Sequence, residues 1–144
     1  MSEEQSAQTP KQVRMQSSVS GVHRFVMQFS EDCEQVGVKP EEQQRVSLAM
    51  TEIVLNAVKH GNQEDRSKRV EIQYSVTKDE FHAEVTDEGP GFDPEQVPNP
   101  TSEENLTKSG GRGIAMTKHF MDEVEYKEGG RKVTLKKRFP QDNV

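Results

Sequence analysis

The sequence predicts an α/β fold, a two-layer sandwich in which a mixed, mostly antiparallel sheet carries its helices on one face. Three observations predict it. Apolar residues recur at spacings of three and four over two long stretches before residue 61. Apolar and polar residues alternate over short stretches elsewhere. The alternating stretches come in pairs joined by short turns, which makes the paired strands antiparallel and leaves one sheet face for the helices.

Each element follows in order. Val13, Met15 and Val19 fall at odd positions and predict a modest first strand over 13–19, placed at an edge. Ser20 is the expected N-cap of the helix after it. Val22, Phe25, Val26, Phe29, Cys33 and Val36 form the apolar stripe of that helix, which stops near Gly37. Pro40 opens a second helix, with Glu41 and Glu42 favourable near its positive end. Its buried stripe reads Val46, Ala49, Met50, Ile53, Val54 and Ala57. A charged turn over 63–68 follows. Val70, Ile72, Tyr74 and Val76 then alternate, and after a turn at 77–80 so do Phe81, Ala83 and Val85, which makes a hairpin. Residues 93–109 show no regularity, and Pro94, Pro98 and Pro100 oppose helix. A short helix is expected through Ile114, Met116, Thr117, Phe120 and Met121. A last hairpin runs from Val124 and Tyr126 through Gly129 and Gly130 to Val133 and Leu135.

The chain has 144 residues, enough for one domain with a real core. Apolar residues make up 30% and charged residues 31%, so some segments are expected to lie outside the core. The expected division is a disordered tail over 1–10, one domain over 11–139 and a second tail over 140–144. A net charge of −6 argues against tracking a nucleic-acid backbone. One cysteine allows no internal disulfide and fits a reducing compartment; zinc is not expected with four scattered histidines. The polar start does not look like a signal peptide, and no apolar run approaches the length of a membrane helix. The expectation is a cytoplasmic protein.

Three groups of residues carry chemistry. The second helix bears Glu52, Asn56 and His60 at four-residue spacing on one face, beside the apolar stripe. A carboxylate on a mostly enclosed helix needs a partner or a use. An asparagine carbonyl can ligate a hard cation such as magnesium, and a glutamate one turn away can deprotonate a hydroxyl or a water. The second group is Asp87, Glu88, Gly89, Pro90 and Gly91, at the end of an alternating strand. Its acid can hold a flat donor such as an adenine amine, and its glycines leave room for a ring. The third is Gly110, Gly111, Arg112 and Gly113 at a helix start, where free amides and the helix dipole favour phosphate. Alone, each has an ordinary alternative: a solvated helix face, a common strand-to-loop turn, a flexible loop end. The segment 93–109 between the last two groups has the length of a functional loop and would make a lid over a nucleotide.

In this order the motifs resemble the GHKL ATPase superfamily, and most closely the small anti-sigma factor serine/threonine kinases of the RsbW type. Glu52 to Gly61 looks like their N box, residues 87–92 like the first glycine box, and residues 110–116 like the second. The resemblance spans about residues 11–138. It implies ATP and Mg2+ as ligands. Glu52 would be the general base that activates a serine or threonine hydroxyl. Asn56 would bind magnesium. His60 and Gly61 would sit near the phosphates and lid. Asp87 would accept from the adenine amine, with Gly89 and Gly91 shaping the pocket. Gly110, Gly111 and Gly113 would wrap the phosphates. Thr134, out of phase with Val133 and Leu135, matches a threonine that supports the adenine. Leucine is often seen where Arg112 stands, which leaves the role of Arg112 open between a phosphate contact and a solvated side chain.

The resemblance further implies a kinase that binds a sigma factor, phosphorylates a STAS-domain anti-sigma antagonist, and pairs as a homodimer. The alternative is an ATP-binding regulatory module of the same fold that controls its partner without turnover.

Overall fold

The computed structural model describes residues 10–89 and 117–140. Its first strand, β1, is Lys11–Gln16; helix α1 is Val19–Val36 and α2 is Pro40–Asn56, continued by a π-helical turn at Ala57–Gly61. Strands β2 (Arg69–Val76) and β3 (Glu80–Thr86) form the first hairpin. Residues 117–120 are helical. Strands β4 (Glu123–Lys127) and β5 (Lys132–Arg138) form the second hairpin across a short 3-10 turn. The strand order is β1-β2-β3-β5-β4. Every pairing among the described residues is antiparallel.

The helix limits follow from local chemistry. Ser18, two residues before the expected cap, accepts a hydrogen bond from the Gly21 amide through its side chain and starts α1. Ser17 is committed elsewhere: its hydroxyl donates to the Lys68 carbonyl at 2.9 Å, which ties the end of β1 to the start of β2. The first strand consequently ends at Gln16, and Val19, expected in the strand, opens the helix and is exposed. Gly37 ends α1 with φ 87°, a left-handed conformation that a side chain disfavours. Pro40 sits in the first turn of α2, where its missing N–H costs nothing.

One face of the sheet is dry. Ile72, Tyr74 and Val76 from β2, Phe81, Ala83 and Val85 from β3, and Val133 and Leu135 from β5 are buried on it. All six residues of the expected α2 stripe are buried in the same core cluster. Phe29 of α1 is fully enclosed, edge-on to both Tyr74 and Phe81 with ring centroids 5.3 Å away. Such edge-to-face pairs add about 0.5–1.5 kcal/mol beyond area burial.

A buried polar cluster sits inside this apolar seam. Asp32, on the buried side of α1, accepts from the Lys11 ammonium at 2.8 Å, from Gln28 at 3.1 Å, and from the Tyr74 hydroxyl. Burial by itself would raise the Asp32 pKa. The hydrogen bonds from Lys11, Tyr74 and Gln28, with the Lys11 charge, outweigh burial and hold the carboxyl below its ordinary value. Burial, with the neighbouring Asp32 charge, pushes the Cys33 thiol up to about 12 and leaves it unreactive.

The sheet has two rims. On β1, Lys11, Gln12, Arg14 and Gln16 are exposed; on β4, Glu123, Glu125 and Lys127 are. Among the described residues no helix is long and apolar enough to cross a membrane.

Asp32 carries a prediction. Its folded pKa is depressed, so its contribution is present above the ordinary carboxylate pKa, near 4, and lost as pH falls through the folded value. Asp32→Ala should lower unfolding free energy at neutral pH by about 2–4 kcal/mol, because Tyr74 and Lys11 lose their acceptor. It should also flatten the loss of stability below about pH 4. Denaturant titrations at several pH values measure both; an unchanged acid limb would remove Asp32 from the account.

Candidate functional site

The site grows from the meeting of the C-terminal end of α2 with the end of β3. The last two turns of α2 carry Glu52 and Asn56, both half-buried, flanked by buried Ile53, Val54 and Ala57. This matches the partly enclosed setting expected for the glutamate. The helix does not simply stop after Asn56. It widens into the π-turn, and the Asn62 amide closes that turn on the Ala57 carbonyl at 2.8 Å. π-turns of this kind occur often at functional positions. His60 lies in the turn and is exposed. The chain then leaves through two left-handed residues, Gln63 and Glu64, with the Glu64 amide held on the Val58 carbonyl at 2.7 Å.

The widened turn delivers Gly61 to Asp87. A Cβ on Gly61 would lie 2.3 Å from Asp87 Oδ2, and a Cβ on Gly89 would lie 1.9 Å from the Gly61 carbonyl oxygen. Both positions therefore exclude any side chain. Asp87 Oδ1 accepts from the Gly89 amide at 2.7 Å, so the turn after β3 curls back on its own acid. The Asp87 amide donates to the Arg131 carbonyl at 3.0 Å and prolongs the β3–β5 ladder by one rung.

Half-burial raises the Asp87 pKa above its ordinary value. The Gly89 hydrogen bond and the charges of Arg131 and Lys68 act in the opposite direction but do not overcome burial. A raised carboxylate pKa means that the charge is held at a cost to the empty fold, a common property of binding and catalytic groups.

The register separates one expected residue from this group. Thr134 pairs with Glu84 and Glu125, while Val133 pairs with Val85 on the dry face. Side chains alternate along a strand, so Thr134 points to the sheet face away from Asp87. The residue of this strand end that stands opposite Asp87 is Arg131, which the sequence reading missed. Gly61, expected near the phosphates and lid, borders Asp87. Gly91, Gly110, Gly111, Arg112, Gly113 and the segment 93–109 lie outside the described residues.

A second missed residue is Asn62, which is fully buried. Its Nδ2 donates to Ser17 Oγ at 2.7 Å and to the Arg69 carbonyl at 3.0 Å, and its Oδ1 accepts from the Glu88 amide at 2.7 Å. Its place directly after His60 and Gly61 was the only signal for it in the sequence.

The half-buried acid and the two glycines thus lie where the strand end meets the helix end that carries Glu52 and Asn56. The chain belongs to the family described as the histidine kinase-like ATPase domain, whose pattern it matches over residues 15–137. It is therefore an ATPase-like domain of the GHKL type, as its ordered motifs suggested. Among similar proteins is the anti-sigma F factor of Clostridium perfringens, 36% identical over 104 residues, covering 68% of this chain and 74% of that protein. Another is the serine-protein kinase RsbW of Staphylococcus aureus, 26% identical over 141 residues, covering 92% and 89%. The fold matches a crystal structure of the RsbU and RsbW domains of a Mycobacterium tuberculosis protein, with a TM-score of 0.63 at 17% identity. That match covers 92% of this chain and 32% of the longer one.

Gly61→Ala should displace the Asp87 carboxylate and cost about 1–3 kcal/mol of stability through overpacking. Thermal unfolding and the Asp87 carboxyl chemical shift would report this; a neutral substitution would show that the contact yields easily.

Proposed function

We propose that this protein is an ATP-dependent anti-sigma factor serine/threonine kinase that binds a sigma factor and phosphorylates a STAS-domain anti-sigma antagonist. The observation that carries the nucleotide part is the Asp87 carboxylate, half-buried in a cradle that excludes a Cβ at both Gly61 and Gly89. The partner part is supported by the relatives, which are named as an anti-sigma factor and a serine-protein kinase.

The residues present fit ATP with magnesium. Asp87 would accept from the adenine amine, and the bare backbone at Gly61 and Gly89 would let the helix end and the turn close around that carboxylate. Asn56 would offer its side-chain oxygen to the cation. The amides at Gly110, Gly111 and Gly113 would face the phosphates. When bound, ATP supplies the transferable phosphoryl group. What the chain itself does is positioning and proton management. Glu52, one helical turn before Asn56, would take the proton from the acceptor hydroxyl. Positioning and neutralisation of charge supply most of the acceleration in phosphoryl transfer.

Two outcomes are expected. Glu52→Ala should bind ATP within about twofold of the parent and lose phosphoryl transfer by about 10²–10⁴-fold. Radiolabel transfer to the antagonist measures this, and a parental rate would sink the general-base role. Asp87→Asn should weaken ATP binding at least about tenfold, some 1.4 kcal/mol. The same substitution should raise the melting temperature of the nucleotide-free protein. Because the folded pKa of Asp87 lies above the unfolded one, the unfolded chain loses its proton first as pH rises, and stability falls across that interval. Asparagine keeps an acceptor for the Gly89 amide without that charge. Unchanged ATP affinity would show that Asp87 does not touch the base.

A further inference from the structure

We propose that Asn62 is a positioning residue for base selection: it fixes the turn that carries Asp87, and so sets how strongly the site prefers adenine over guanine. The inference rests on the nucleotide reading of Asp87 given above.

Four segments converge on this one side chain. Asn62 itself closes the π-turn through its backbone amide. Its Nδ2 holds Ser17, at the junction of β1 and α1, and the carbonyl of Arg69, the first residue of β2. Its Oδ1 holds the amide of Glu88, the residue directly after Asp87. Both Nδ2 protons and the carbonyl oxygen are engaged at 3.0 Å or less, and the residue is fully buried. A buried amide with every bond satisfied has one rotamer available to it, and it holds its partners to matching precision.

The geometry places this clamp where base recognition would need it. Asp87 is fixed on one side by its own amide on Arg131 and by Gly89 on its carboxylate. Neither bond fixes the turn against the helix end, because both lie within the β3–β5 end. Among the described residues, Asn62 supplies the side-chain hydrogen bond that joins the turn to the helix side, together with the close backbone approach of Gly61 and Gly89. Glu88 adds a bond in the same sense, its carboxylate accepting from the Arg69 amide. The turn is therefore clamped at residue 88 from both the π-turn and β2. A carboxylate discriminates an amine from a carbonyl at the same ring position only if it cannot swing away from the carbonyl. Adenine presents the amine there and guanine the carbonyl oxygen. Loosening the clamp would let Asp87 retreat from guanine, so discrimination would fall more than overall affinity.

The test compares binding of ATP and GTP by calorimetry to the full chain and three variants. The parent should prefer ATP. Asn62→Ala should lower the ATP-to-GTP affinity ratio about tenfold or more, with a smaller loss of ATP affinity. Ser17→Ala removes only one partner of Nδ2 and leaves the Glu88 bond. It should lower the melting temperature while keeping the ratio within about twofold. Val76→Ala, buried at the end of the β2–β3 hairpin away from Asp87, should behave like Ser17→Ala, which separates selectivity from general destabilisation. A parent without preference for ATP overturns the reading of Asp87 and this proposal with it. A parent that prefers ATP beside an Asn62→Ala variant with the same ratio overturns this proposal alone. If Asn62→Ala does not fold, hydrogen exchange in the nucleotide-free parent decides. The Glu88 amide should be protected well beyond neighbouring exposed amides, and rapid exchange there overturns the clamp.

Discussion

A helix end and a strand end meet at Gly61 and Asp87 with no side chain between them, and the remaining architecture serves that contact. The approach is closer than any Cβ allows. It requires that α2 keep its position along the sheet to within a fraction of a turn. The apolar stripe from Val46 to Ala57 provides that, since each of its six residues is buried in the core the helix shares with the sheet. It also requires that the chain overshoot an ordinary α-helical end, which the π-turn achieves by adding one residue to the last loop of the ladder. The same helix thus serves as core and as site. Its buried stripe seats it, and its half-buried flank presents Glu52 and Asn56. A substitution deep in the stripe should be felt at the site through displacement of the helix rather than through any direct contact.

Two polar clusters among the described residues have different tasks. Asp32, Lys11, Gln28 and Tyr74 secure α1 to the first two strands and lie among aromatic rings. Asn62, Ser17 and the carbonyls of Lys68 and Arg69 secure the far end of the same strands to the turn after β3. The first cluster is centred on a carboxylate paired with a lysine and answers to pH. The second is built from neutral groups, with the Glu88 carboxylate on the Arg69 amide beside it.

Much of this was legible in the sequence because it rests on local rules. Gly37 and Pro40 mark the helix boundaries through backbone conformation alone, and the alternating strands declare which side is dry. What the sequence hid depends on distant partners. The cap of α1 fell at Ser18 and not Ser20 because three serines compete there, and Ser17 is drawn off by Lys68, 51 positions away. Asn62 looked like a turn residue until its bonds to residues 17 and 88 were seen. Thr134 was assigned by likeness to a motif, and only the register with Glu84 and Glu125 shows which face it occupies. The alternation that set it out of phase with Val133 and Leu135 was already in the sequence. That alternation places it away from Asp87 once the side of Asp87 is known.

The two rims of the sheet have a consequence for how copies of the chain meet. A strand edge offers unpaired amides and carbonyls to any other edge, and nothing in backbone geometry prevents endless growth. Here the β4 rim presents Glu123, Glu125 and Lys127, and the β1 rim presents Arg14 beside a Lys11 already engaged by Asp32. Two β4 rims joined antiparallel about Glu125 would set that carboxylate against its copy but Glu123 against Lys127, so charge penalises some registers and favours others. Any edge-to-edge meeting of two copies is thus a matter of register as much as of strand edges.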